Sequence, residues 1–272
     1  MDSCGGYGCV GRCNNNLLMR ILLQIEYDGT AYSGWQRQKN AVTVQEVIED
    51  TLTGITGESV HVAGAGRTDA GVHALGQMAH CDVKTTIPPE KMCYVMNNIL
   101  PPDIRIKSSR EVSADFHVRK HAKGKHYRYT ICNAAHASAI YRNMSAHVRM
   151  PLDVDAMSRA AEIIEGKHDF KCFQAAGSPI TYTVRTIFAL RVSRRGDFID
   201  IDVYGDGFLY NMVRIIAGTL IDVGKHKQNP EWVRDILESR SRPDAGATAS
   251  AHGLTMVEVY FDLEKMRCEL AE

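Results

Sequence analysis

The chain has 272 residues, 44% of them hydrophobic and 24% charged, with 32 Lys and Arg set against 32 Asp and Glu. That length leaves room for one large domain or two smaller packed ones, and the apolar share suffices for a core. No apolar run approaches the roughly 18 residues of a membrane span, and the net charge of zero argues on its face against nucleic acid, whose phosphates draw clustered cations.

The opening MDSCGGYGCVGRCNNN holds Cys4, Cys9 and Cys13. Their spacings match structural zinc sites poorly and no CxxC occurs, so the thiols are expected free, in a reducing, cytoplasmic setting. With neither an apolar leader nor an Arg-rich amphipathic helix, residues 1–19 read as a flexible Cys-containing tail, or as a start placed ahead of Met19.

From Arg20 to Tyr27, Ile21, Leu23, Ile25 and Tyr27 recur on one face, the period of a half-buried strand, and Asp28-Gly29 turns it. Thr43 and Glu46 form a capping box before a helix with Val44, Val47, Ile48, Leu52 and Ile55 at helical spacing. Short strands are expected near residues 60–63 and 77–83, on either side of a glycine-rich loop. Pro88-Pro89 opens a second helix carrying Met92, Val95, Met96, Ile99 and Leu100, which Pro101-Pro102 stops, and Ile104 and Ile106 begin another strand. The order β-α-β-β-α-β is that of a ferredoxin-like, or RNA-recognition-like, unit.

Past a boundary placed near Asp115 the order recurs. Tyr127, Tyr129 and Ile131 alternate as a strand, and Asp153 caps a helix with Met157, Ala160, Ala161 and Ile164 that ends at Gly166. Strands follow over 184–192 and 198–204, then helices from Met212 to Leu220 and from Pro230 to Ser239, and a last strand over 254–261. The fold class expected is α+β. Two ferredoxin-like halves, residues 20–115 and 116–272, would join edge to edge into one broad, mostly antiparallel sheet with helices on one face and a central cleft.

The stretch GAGRTDAGVHALGQ, Gly64 to Gln77, sets a lone acid, Asp69, among four glycines. A turn alone accounts for one glycine; four also suit a ligand backbone pressing close to the loop. The Lys-Ser/Thr ending of a phosphate loop is missing, and only His73 lies near enough in sequence to share a metal. A lone acid remains usable as a nucleophile, and an arginine nearby favours its ionised form. Arg67 is close in sequence, while Arg214 sits at the polar margin of an apolar helix, equally suited to a cleft or to solvent.

The zero net charge hides a cluster: residues 105–149 hold ten Lys or Arg, five His and only two acids, Glu111 and Asp115. Within it, FHVRKHAKGKHYRYT, Phe116 to Thr130, mixes cations with aromatics and has no acid. Such a run follows a phosphate backbone and stacks bases, or is a strand with a solvated charged face.

Taken together, YDGTAYSGWQRQ (27–38), AGRTDAGVHALGQ (65–77), KHYRYTI (125–131), NMVRIIAGTLIDVG (211–224) and ATASAHGL (247–254) resemble, in order and spacing, the motifs of the tRNA pseudouridine synthase A family. The resemblance spans residues 19–261. It implies that Asp69 is the catalytic nucleophile, that Tyr127 stacks on the target uracil, that Arg214 pairs with Asp69, that Arg67 displaces or replaces the flipped base and that Leu254 packs near Tyr127. It implies isomerisation of uridine at positions 38, 39 and 40 of the tRNA anticodon stem-loop, a homodimer, and no cofactor or metal. Arg37, Arg119, Lys120, Lys123, Lys125 and Arg128 are expected along the RNA backbone. Ser250 stands where the family often has Pro, and Met256 follows the Gly-Leu pair at a variable position. Two other classes fit the residues: a non-catalytic RNA-binding protein with two RNA-recognition-like halves, and a metal-assisted hydrolase using Asp69 and His73.

Overall fold

The computed structural model describes residues 17–271. Cys4, Cys9 and Cys13 lie outside them, and residues 17–19, expected in the tail, already belong to the first strand.

In strand β1 (Leu17–Tyr27) Ile21, Leu23, Ile25 and Tyr27 are all buried as expected, and Leu22 on the opposite face is buried as well. Thr43 Oγ1 caps helix α1 (Val44–Thr56) by accepting from Glu46 N, and Gly57 ends it in the left-handed region at φ 74°. The Glu46 carboxylate turns instead to Arg37, 3.4 Å away. Strands β2 (Val62–Gly64) and β3 (His73–Thr85) bracket the glycine-rich loop. Helix α2 (Met92–Asn97) is shorter than its apolar spacing suggests, and Ile99, expected on its buried face, is 59% exposed. Asn97 bonds both backbone groups of Ile106 in strand β4 (Ile104–Val112), at 2.9 and 2.8 Å, and Pro101 bars the residue before it from helical geometry.

One turn of helix, α3 (Val118–His121), leads to β5 (Gly124–Cys132) and the short β6 (Ala146–His147). Helix α4 (Val154–Ile164) is capped by Asp153, which accepts from Ala156 N at 2.9 Å. Strands β7 (Gly166–Asp169), β8 (Val184–Arg195) and β9 (Phe198–Gly205) follow, then helices α5 (Met212–Gly224) and α6 (Trp232–Ser239) and strand β10 (Leu254–Tyr260). The charge-rich C-terminal run, for which no element was expected, forms α7 (Leu263–Ala271). Asp262 accepts from Glu264 N at 2.9 Å, and Leu263, Met266 and Leu270 cover Tyr204 and Tyr260.

The described residues form an α+β fold whose ten strands make one sheet in the order β4-β1-β3-β10-β5-β9-β8-β7, with β2 on β3 and β6 on β5. Only β3–β10 and β5–β6 are parallel. The β3–β10 seam has two register pairs, Thr255 with His73 and Met256 with Ala74. Its backbone bonds contribute on the order of 1 kcal/mol each, whereas burying one side chain of the size of Met256 or Leu254 contributes about 1.5–3 kcal/mol. Side-chain packing, not the ladder, therefore joins the two parts of the sheet.

The pleat also divides the basic run. On β5, Tyr127, Tyr129 and Ile131 enter the main core with α5, while His126, Arg128 and Thr130 project from the other face towards β9. There Asp202 Oδ1 meets His126 Nε2 at 2.6 Å and Arg128 Nε at 2.8 Å, and His126 stacks on Tyr204 at 4.0 Å between centroids. Lys125 and Arg128, expected on one RNA track, thus face opposite ways.

Candidate active site

The loop between β2 and β3 is tied to its surroundings at several backbone and side-chain groups. Ala65 N donates to Met78 O at 2.7 Å, Trp35 N to Thr68 O at 3.0 Å, and Gly71 N to Tyr32 O at 3.3 Å. Tyr27 OH and Thr68 Oγ1 share a buried bond of 2.7 Å, and Val72 N donates to Asp69 O at 3.1 Å, closing the turn. The open side of the loop presents Arg67, Asp69 and Ala70.

Its four glycines do not leave a gap for a ligand, contrary to expectation, because the protein fills the space. A Cβ on Gly64 would lie 2.6 Å from the Trp35 indole nitrogen, and one on Gly66 would meet Met256 and Lys125 at 3.1 and 3.2 Å. Gly76 lies against the Val257 backbone of β10, and Gly71 takes φ 77° in the turn. Absence of bulk lets the loop press against β10 and β5, and so brings Asp69 to the junction between the sheet's two parts.

Across that junction stands Arg214. Its Nη1 is 3.3 Å from Asp69 Oδ2, with the side chains 17% and 28% exposed respectively, and the two residues are 145 apart in sequence. The guanidinium is held elsewhere as well: Nε donates to Ala249 O and Nη1 to Asn211 Oδ1, both at 2.8 Å. Asn211, just before α5, adopts φ 59°, an unusual left-handed conformation for a residue with a side chain. Burial pushes the Asp69 carboxyl above the usual carboxylate range, and the charge and hydrogen bond of Arg214 oppose that shift.

Tyr127 is buried beside the same loop, its ring edge-on to Phe208 at 5.1 Å. Burial raises its phenol well above the ordinary value, and the charge of Asp69 pushes the same way. Leu254 is buried on the neighbouring strand, but the register sets it opposite Tyr129, and Met256 stands opposite Tyr127. Arg67 is exposed at the rim, where Nε donates to Gln36 Oε1 at 3.1 Å. Gln36, Gln77 and Asn211 escaped sequence reasoning, although all three lie within the quoted motifs, and Met256 was noted only as a variable position; nothing in composition marks them until the chain is folded.

The expected RNA-backbone cations separate. Arg37 is surrounded by Glu46, Glu49 and Asp50, at 3.4, 3.1 and 3.2 Å, so carboxylates already satisfy it. Arg128 belongs to Asp202 on the other face. Lys120 and Lys123 are exposed, with no ion pair among the described residues, whereas Arg119 and Lys125 reach back to the Asp69 loop at Gly64 O and Ala65 O. His73 is buried; its Nδ1 accepts from Gly29 N at 3.1 Å and its Nε2 donates to Asn143 O at 2.7 Å. With both ring nitrogens engaged it has no lone pair for a metal shared with Asp69.

Beside Arg214, the segment 245–251 is anchored by Ala249 N donating to Arg214 O at 3.0 Å and Tyr129 OH donating to Ser250 O at 3.0 Å. Ser250 has φ −56° and ψ 143°, a backbone a proline adopts without strain. Ser250→Pro is therefore expected to raise stability by about 0.4–1 kcal/mol through the unfolded chain, with activity kept. Chemical denaturation of both proteins checks this; a lower midpoint contradicts it.

The junction thus brings one carboxylate, Asp69, against one arginine, Arg214. Comparison with known proteins gives the protein's class. The family described as tRNA pseudouridine synthase matches residues 24–119 and 160–262. A protein of Ruminiclostridium cellulolyticum named tRNA pseudouridine synthase A is 53% identical over 245 residues, covering 90% of this chain and all of its own. Proteins of the same name from Acetivibrio thermocellus and Brevibacillus brevis are 50% and 48% identical over 244 residues each, again covering 90% of this chain and all of theirs. The chain belongs to the tRNA pseudouridine synthase family. It is accordingly an isomerase, converting uridine to pseudouridine.

Proposed function

We propose that this protein isomerises uridine to pseudouridine at positions 38, 39 and 40 of the tRNA anticodon stem-loop, with Asp69 as nucleophile. The observation that carries this is the Asp69–Arg214 pair at 3.3 Å, formed across 145 residues at the junction between the sheet's two parts. The reaction cuts the bond between ribose C1′ and uracil N1, turns the freed base and rejoins it through C5, with no atom gained or lost. One nucleophile suffices. A second carboxylate would favour activation of water and release of the base, the outcome of glycoside hydrolysis.

A stacked base must leave the helix to reach Asp69, at a cost of a few kcal/mol. Tyr127 offsets that cost by stacking on the uracil, Leu254 packs beside it, and Arg67 at the rim fills or opens the place left behind. Exposed Lys120 and Lys123 follow the phosphates.

The strand orders β4-β1-β3-β2 and β10-β5-β9-β8 support two ferredoxin-like halves, residues 20–115 and 116–272. The enzyme works as a cytoplasmic homodimer. A passive RNA-binding protein leaves the Asp69–Arg214 pair without a purpose, and a hydrolase sharing a metal between Asp69 and His73 conflicts with the two bonds of the imidazole. Mapping pseudouridine in tRNA from cells with and without the gene tests the assignment. Loss confined to positions 38–40 is expected, and an unchanged map refutes it.

A further inference from the structure

Three consecutive carbonyls of the loop carrying Asp69 are held by side chains from other elements. Arg119 of α3 donates to Gly64 O at 3.4 Å, Lys125 of β5 to Ala65 O at 3.0 Å, and Gln77 of β3 to Gly66 O at 2.8 Å. Gly66 lies against this clamp: a Cβ there would be 3.2 Å from Lys125 Nζ and 3.6 Å from the Tyr127 hydroxyl. Lys125 and Tyr127 share a face of β5, so ammonium and phenol meet the same side of the loop.

We propose that Lys125 is a positioning residue of the isomerisation and not an RNA contact: its ammonium, through the Ala65 carbonyl, sets the loop so that Asp69 meets its target in reacting geometry. This rests on the role given to Asp69 above. A phosphate track needs exposed, unengaged cations, as Lys120 and Lys123 are; Lys125 is half-buried and bonded to a neutral carbonyl. Burial pushes its pKa down to about 8, and the charges of Arg119 and Arg185 act the same way.

The charged and titratable groups that face it are Arg119 from α3, Arg185 from β8 and, on its own strand, Tyr127, which in turn feels Tyr27 from β1 and Asp69 on the loop. Burial raises the phenols of Tyr127 and Tyr27 far above neutrality. Lys125 is thus the member of the group that changes charge near pH 8. Below that pH the bond to Ala65 is charge-assisted; above it the bond weakens.

The test measures single-turnover rate at saturating unmodified tRNA, together with tRNA affinity at several salt concentrations, between about pH 6.5 and pH 9.5. Lys125→Met is expected to slow the step on the order of a hundredfold, the scale of a small misplacement of reacting groups, with affinity and its salt dependence kept. Lys125→Arg, which keeps donor and charge, is expected to restore most of the rate and to remove the parent's loss of rate above pH 8. A Lys125→Met protein that reacts at the parent rate once saturated, but binds weakly with a flattened salt slope, overturns the proposal in favour of a phosphate contact. If Lys125→Met does not fold, Lys125→Arg decides alone, and an alkaline limb unchanged in that variant overturns it. Parent protein that yields no pseudouridine at any pH is a different failure, that of the function itself.

Discussion

Asp69→Asn is expected to bind unmodified tRNA with the parent's affinity and to form no detectable pseudouridine, a rate loss on the order of 10⁴-fold or more, as when a nucleophile is removed. Asn is nearly isosteric, and the backbone bonds that shape the turn, Trp35 N to Thr68 O and Val72 N to Asp69 O, do not involve the carboxylate. The loop should keep its form while losing its chemistry. The same change carries a signed effect on stability. Burial raises the folded-state pKa of Asp69 above its unfolded value, so the ionised carboxylate destabilises the fold at every pH above that raised pKa. Asn removes this cost. The variant is expected to melt above the parent at pH 7, and the difference should close as pH falls through the raised pKa towards the ordinary carboxylate range. Filter binding, single-turnover assays and melting curves measure all three effects. Substantial turnover by the variant removes Asp69 from the mechanism.

Arg214→Gln should have the next largest effect. It leaves burial unopposed at Asp69, so the carboxyl rises further and the acid limb of the pH–rate profile moves to higher pH. A rate loss on the order of a hundredfold, about 3 kcal/mol, is expected where the parent is fully active. Arg214→Lys should recover only part of it. Lysine keeps the charge but lacks the fork that joins Asp69, Asn211 and the Ala249 carbonyl. An acid limb that stays in place in Arg214→Gln would separate this arginine from the ionisation of Asp69.

Much of this was legible in the sequence where the signal is local. Alternation in β1 and β5, the Thr43 and Asp153 caps and the α5 stripe are set by neighbours within a turn or two, and they fold as read. The pairing of Asp69 with Arg214 was legible through the family resemblance and not through any local pattern, for it spans 145 residues. What was not legible depends on distant partners. The glycines of the loop are small because of Trp35, Met256 and Val257, whose approach no local pattern announces. The run from Phe116 to Thr130 read as one basic track because the counterion of Arg128, Asp202, comes from β9, and only the pleat assigns Arg128 to one face and Lys125 to the other. Helix α7 was hidden by its own charges, whose density masks the spacing of Leu263, Met266 and Leu270.

The central claim is that one ionised aspartate, held by one arginine, breaks and remakes a sugar–base bond without releasing the base. Its most direct measurement is a mass balance: purified protein, unmodified tRNA carrying labelled uridine, and excess chelator. Pseudouridine equal to the uridine consumed, tRNA of unchanged mass and no free uracil is the expected result. Free uracil with an abasic site, or activity abolished by the chelator, would contradict it.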